Sequence, residues 1–242
     1  MTTLAEILEL EMLADRAWPA LERRWLDGWL LRASEGLSRR SNSATPIEHS
    51  REPILEKVAT VERWFAERGL PAMFRLTPLA DRGLDDVLDA RGYDLDLGAD
   101  VMVRKIGAEP DDGVVRLERT PSAEWLGCLP TSRGTETMRR MLETVEDAVY
   151  ASVVEEGRLI SVGMGVVDSG WLAVFNMQTV RGRRRRGFGR TILDGLLRWA
   201  AGRGIENAML QVHPAAMDAV SLYRSAGFEK RYDYRYRSLR AR

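Results

Sequence analysis

The sequence has a single cysteine, two histidines, no charge imbalance and no long apolar run, and each shortage excludes a class of protein. Cys128 alone cannot form an internal disulfide or a cysteine-rich metal site, and two histidines argue against a zinc centre. No apolar stretch approaches the ~18 residues of a membrane span, and the acidic opening MTTLAEILELE does not read as a signal peptide. A soluble, cytoplasmic protein without membrane contact is expected. Thirty-six basic residues balance thirty-six acidic ones, so no overall field draws the chain to nucleic acid or lipid. What the chain does have is apolar mass. Its 45% hydrophobic residues over 242 positions suffice for one large or two small cores without staples.

Positive charge is concentrated locally instead. An apolar, β-favouring run (171–180) gives way to six arginines among glycines, RGRRRRGFGR, and Gly189 then opens a helical stripe of Ile192, Leu193, Leu196, Leu197 and Ala200. The order is strand, loop, helix. A helix N-terminus entered through such a loop offers unpaired backbone N–H groups and the positive end of the macrodipole, which suits a phosphate or pyrophosphate. GxxxxGK[ST] is absent, and the GxGxxG fingerprint does not fit Gly187 and Gly189 followed by Thr191 and Ile192. Standing alone, the arginine run reads as a solvated basic face or a nucleic-acid patch; the glycines and the flanking strand and helix favour a diphosphate.

What remains is Arg184-x-x-Gly187-x-Gly189, followed later by Ala219-Val-Ser-Leu222-Tyr223-Arg-Ser-Ala-Gly227-Phe228. The first resembles the Q/R-x-x-G-x-G/A signature of the GNAT superfamily of N-acetyltransferases, and the second resembles that family's A-x-x-L-Y-x-x-x-G-F helix. Their order and separation also match. The resemblance implies an acetyl-CoA-dependent N-acetyltransferase acting on a small-molecule or peptide amine, with the pantetheine arm beside the backbone of Met177, Gln178 and Thr179. It places the pyrophosphate on the loop formed by Arg184, Arg185, Arg186, Gly187, Phe188, Gly189, Arg190 and Thr191. Tyr223 takes the general-acid position that protonates the leaving thiolate. The opposing reading is a non-catalytic module, either CoA-sensing or nucleic-acid-binding.

Two departures stand out. The family often carries asparagine three residues before Ala219, where this chain has Ala216, so that a polar contact to the cofactor is either missing or replaced by Asp218. Many relatives carry a glutamate on the strand before the loop, but 171–179 holds no carboxylate, only Asn176 and Gln178. His213 and Glu206 are the remaining base candidates, and a turn histidine before Pro214 is the plainer account of the first. Cys128 beside Trp125 and Leu126 reads as core.

Along the chain, Thr3-x-x-Glu6 begins a helix that ends before Pro19, and 28–34 with 37–44 flank the Glu35-Gly36 turn as a hairpin. A helix follows from Pro53 to before Gly69, then a strand (71–76), a helix (84–90) and a strand (99–106). Residues 107–113 read as a linker. Beyond it come a strand (114–119), helices (122–128, 136–145), strands 148–154, 159–167 and 171–179, a helix to 203, a strand (208–212), a helix (215–226) and a strand (228–237).

The segment 85–101 parallels 220–236: Arg91-Gly92-Tyr93 aligns with Ala226-Gly227-Phe228 and Leu88 falls opposite Tyr223. The expected fold is therefore α/β (α+β), a GNAT-like mixed, mostly antiparallel sheet flanked by helices, in two tandem copies. Residues 1–107 form a degenerate or accessory domain and 113–242 the acetyltransferase domain. The hairpin residues Trp29, Arg32, Arg39, Arg40 and Asn42 are candidates for lining an acceptor pocket between them.

Overall fold

The computed structural model describes residues 2–109, 114–129 and 134–239. Part of the expected linker, 110–113, lies outside them. The chain opens with α1 (Leu4–Ala17), whose N-terminus is fixed by the Thr3 hydroxyl accepting from the Glu6 amide at 3.1 Å. Then follow β1 (Glu22–Leu26), β2 (Trp29–Ala33), β3 (Ser43–Pro46), α2 (Ile54–Ala66), β4 (Met73–Leu76), α3 (Leu84–Ala90) and β5 (Asp94–Lys105). The second half runs β6 (Arg116–Glu118), α4 (Ala123–Gly127), α5 (Thr135–Leu142), β7 (Ala148–Glu155), β8 (Arg158–Asp168), β9 (Trp171–Thr179), α6 (Phe188–Ala201), β10 (Asn207–Val212), α7 (Met217–Ser225) and β11 (Glu229–Ser238).

All eleven strands join one sheet in the order β1-β2-β3-β4-β11-β5-β10-β9-β8-β7-β6. Read outward from its centre, this order repeats itself: β5 faces β10 as β11 faces β4, and each copy holds one parallel pair, β3 with β4 and β9 with β10. The two copies have thus exchanged their last strands. Their ends match in detail as well. Tyr93 N donates to Leu88 O at 3.0 Å and Phe228 N to Tyr223 O at 2.9 Å, with Gly92 and Gly227 in the left-handed region between them.

One face of the sheet carries α6 and α7, with Val174, Leu196, Leu210, Tyr223 and Phe228 in a common core. The other carries α1, α4 and α5, with Phe175, Met209, Tyr234 and Tyr236. Helix α1 bridges both copies there: Glu11 pairs with Arg75 of β4, and Asp15 with Arg32 of β2, while Ile7 and Leu10 pack into the core shared with β8 and β9.

Three expectations need correction. β1 went unread because ERRWL is an edge strand exposed along most of its length, so no alternation of apolar residues marks it. The strand expected over 37–44 is a 3₁₀ turn, Arg39–Ser41, ahead of β3. The Asn42 side-chain oxygen accepts from the Ser34 and Gly36 amides at 2.8 and 3.0 Å and holds the chain in that turn. β5 begins at Asp94, where exposed Leu95 and Leu97 alternate with aspartates opposite β11.

Candidate functional site

The parallel partners β9 and β10 stay together only from Trp171 opposite Asn207 to Val174 opposite Leu210. Beyond that point β9 continues to Thr179 paired with β8 alone, and Gln211 and Val212 pair with β5 alone. The strands splay, and a β-bulge marks the parting. Asn176 and Met177 oppose one residue of β8, and Asn176 has φ 52°, a left-handed conformation that asparagine tolerates better than most residues. The opened edge of β9, Phe175–Thr179, therefore lacks a strand neighbour and can accept an extended ligand.

The loop reaches α6 just past this edge. Gly187 caps the helix at φ 87°, where a side chain would be strained. The amides of Arg185, Arg186, Gly187, Phe188 and Gly189 donate to no group among the described residues, whereas those of Arg190 and Thr191 are taken by Gly187 O at 2.8 and 3.0 Å. Five consecutive donors are thus unengaged at the positive end of a 14-residue helix. A Cβ on Gly189 would stand 3.3 Å from Leu222 of α7, so the loop also lies close to the second motif.

The arginines divide sharply. Arg184 Nε donates to Thr179 O at 3.1 Å, Arg185 pairs with Asp218, Arg183 with Glu155 at 2.9 Å, and Arg190 with Asp194 of its own helix at 2.7 Å. Only Arg181 and Arg186 of the six have side chains that make no ion pair or hydrogen bond among the described residues. The run shapes the loop more than it charges it, which weakens the nucleic-acid reading and the expectation that Arg190 and Thr191 contact a ligand through their amides. Asp218 pairs with Arg185 and so ties α7 to the loop.

On α7, Tyr223 is 7% exposed and meets Phe228 edge-on, 6.1 Å between centroids. Its hydroxyl makes no hydrogen bond among the described residues. Burial pushes this phenol up to about 12, against the pull of the Arg40 charge. At neutral pH the phenol therefore keeps its proton.

Among the other candidates, Met177 packs toward α6, Gln178 O accepts from the Ser161 hydroxyl at 2.9 Å, and the Thr179 hydroxyl lies 2.8 Å from that of Ser161. His213 is exposed at the end of β10, its Nδ1 accepting from the Ala215 amide at 3.2 Å, as a turn histidine does. Glu206 precedes the opposite end of β10 from the splay and has no place in the site. Burial raises the Cys128 thiol, which disfavours the thiolate a nucleophile needs.

Of the hairpin residues, Trp29 is wholly buried with Nε1 donating to Asp81 at 2.7 Å, Arg39 pairs with Asp96, and Asn42 serves its turn. Arg32 and Arg40 alone of the five line the cleft under α1. The bulge is what sequence reasoning missed; its only signal was an asparagine inside an apolar strand.

The family described as "Probable histone acetyltransferase Rv0428c C-terminal" matches residues 4–237. The chain belongs to that family, within the GNAT superfamily. It is 30% identical to the probable histone acetyltransferase Rv0428c of Mycobacterium tuberculosis over 96% of this chain and 74% of that protein. It is 27% identical to the uncharacterized N-acetyltransferase YobR of Bacillus subtilis, over 96% of this chain and 98% of that one. A GCN5-related N-acetyltransferase from Kribbella flavida shares the fold with a TM-score of 0.69 at 17% identity, covering 100% of this chain and 97% of the other. The protein is an acyltransferase, and no helix among the described residues is long and apolar enough to cross a membrane.

Proposed function

We propose that this acetyltransferase takes its acetyl group from acetyl-CoA and passes it directly to a primary amine in the cytoplasm. The observation that carries the reading is the run of five unengaged amides, Arg185 to Gly189, beside the opened edge of β9. These groups fit the donor. Five N–H donors at a helix N-terminus match a diphosphate, and an unpaired strand edge matches the amides of a pantetheine arm. Acetyl-CoA, when bound, supplies the activated thioester carbonyl.

The chain's own residues have three tasks. The loop amides grip the diphosphate, with Arg186 free to add charge. Backbone groups of Met177 and Gln178 hold the arm, and an N–H at the bulge is available to the oxyanion. Tyr223 keeps its proton at neutral pH, as burial dictates, and gives it to the departing sulfur. On this reading the donor occupies 113–242, and 1–107 act as a second copy without a donor site.

Calorimetric titration with acetyl-CoA is the test. Micromolar or tighter binding that Gly189→Val weakens is expected; no heat at millimolar ligand overturns the reading.

A further inference from the structure

We infer that Asp218 holds donor affinity down: its carboxylate is the counter-ion that a CoA diphosphate must displace from Arg185. The inference rests on the donor reading above and adds to it a residue that tunes affinity. Asp218 stands in the first turn of α7 and pairs with Arg185, whose own amide heads the run of unengaged donors. Leu222 lies one helical turn further along the same face of α7, and a Cβ on Gly189 would meet it at 3.3 Å. Helix α7 therefore touches the turn at both ends of its free amides, with Asp218 at the Arg185 end.

The acids around this loop differ in what they hold. Glu155 pairs with Arg183 ahead of the turn, and Asp194 pairs with Arg190 inside α6. The amides of those two arginines are already taken, by Val180 O and Gly187 O at 2.9 and 2.8 Å. Asp218 alone of the three acids holds an arginine whose amide is free. Its pair is also the most open of the three, with both side chains 74% exposed. An exposed pair of this kind adds little to the stability of a fold.

Asp218 acts on a bound donor in two opposing ways. As a brace it steadies the turn, and that favours binding by no more than a weak exposed pair contributes. As a charge it stands beside phosphates of its own sign and occupies the guanidinium that would otherwise meet them. The second effect is felt by both charges of the diphosphate, so repulsion prevails over bracing. Donor affinity is accordingly lower than the free amides and Arg185 would give by themselves. Product CoA carries the same diphosphate and is loosened by the same factor, which favours its release after transfer.

The experiment is calorimetric titration of the wild type and its variants with acetyl-CoA, with CoA and with acetyl-pantetheine, which lacks the diphosphate. Asp218→Asn keeps the size of the side chain and an oxygen for Arg185 while removing the charge. It is expected to tighten acetyl-CoA and CoA alike, about fivefold at about 0.1 M salt, where the Debye length is about 10 Å. At about 1 M salt, where that length is about 3 Å, the gain should fall below about twofold. Acetyl-pantetheine should gain nothing, and Asp218→Glu, which keeps the charge, should bind acetyl-CoA as the wild type does. Arg185→Met should weaken acetyl-CoA by a similar factor, and adding Asp218→Asn to it should restore wild-type affinity, as a merely structural role for Asp218 would not. Both positions are exposed, and melting curves check that each variant is folded. Affinity for acetyl-CoA that Asp218→Asn leaves unchanged or weakens, a gain that survives about 1 M salt, or an equal gain for acetyl-pantetheine overturns the inference and leaves the donor reading standing. Wild-type protein that binds no acetyl-CoA overturns the donor reading and the inference with it.

Discussion

In the first copy the turn into α2 is plugged; in the second the turn into α6 stands open. Between β3 and α2, the Asp27 carboxylate accepts from the amides of Arg51 and Glu52, both at 2.8 Å, and from the Ser50 hydroxyl at 3.1 Å. Asp81 takes the Ser50 amide at 3.1 Å, and Pro53, at the cap, has no N–H to give. Lys57, buried in the first turn of α2, reaches Asp27 at 3.4 Å. An internal anion thus occupies the donors of this turn, as a bound anion can at an open helix N-terminus. Between β9 and α6 the same donors are left free. The architecture is shared, and the two turns differ in which side chains close a helix N-terminus. The same holds at the other motif, where Leu88 occupies the place of Tyr223.

The largest way to break this contrast is to make the second copy chemically resemble the first. Tyr223→Phe removes the hydroxyl and keeps the ring against Phe228. Turnover should fall by roughly 10²–10⁴-fold, the usual contribution of a general acid, while acetyl-CoA affinity stays within twofold. Steady-state rates beside calorimetry decide it, and unchanged turnover removes Tyr223 from the chemistry.

A smaller effect is expected at the open turn. Gly189→Val places its branches against Leu222, 3.3 Å from even a bare Cβ, and crowds the approach to the free amides. Acetyl-CoA affinity should weaken about tenfold, near 1.4 kcal/mol. Matching the starts of α2 and α6 sets Leu55, 58% exposed, in the corresponding place. Leu55→Ala should leave donor affinity unchanged, and an equal loss from both substitutions would erase the distinction between the copies.

The contrast was partly legible in the sequence. Glycines and apolar periodicity located β9, α6 and α7 to within about two residues, because turn chemistry and helical spacing are local properties. The alignment of Leu88 with Tyr223 exposed the repeat for the same reason. The strand exchange was not legible, since which β-strand lies beside β5 is decided by pairing across some 130 residues that no local pattern records. The Asp27 plug was equally hidden. An Asp-Gly pair reads as a hairpin turn wherever it stands, and only the folded chain brings that carboxylate to the amides of a turn more than twenty residues away.

The plug also makes the subtlest prediction, one about acid stability. Backbone donation from Glu52 is the chief cause that lowers the Asp27 carboxyl from 3.8 to about 2, with Arg51, Ser50 and Lys57 assisting against the opposing effect of burial. A group whose pKa is lower folded than unfolded stabilises the fold in its charged form. Its contribution is complete above about pH 4 and is lost as pH falls toward 2, where the folded carboxylate finally takes up its proton. Asp27→Asn has no such proton to bind. The variant should melt lower than wild type at neutral pH, and the gap between the two melting temperatures should narrow steadily from pH 4 to pH 2 as the wild type loses an interaction the variant never had. Other salt-bridged acids, Asp147 and Asp168 among them, weaken both proteins alike in this range, so the difference between the curves isolates Asp27. A gap that stayed constant across that interval would mean that the carboxylate's charge does not hold the turn closed.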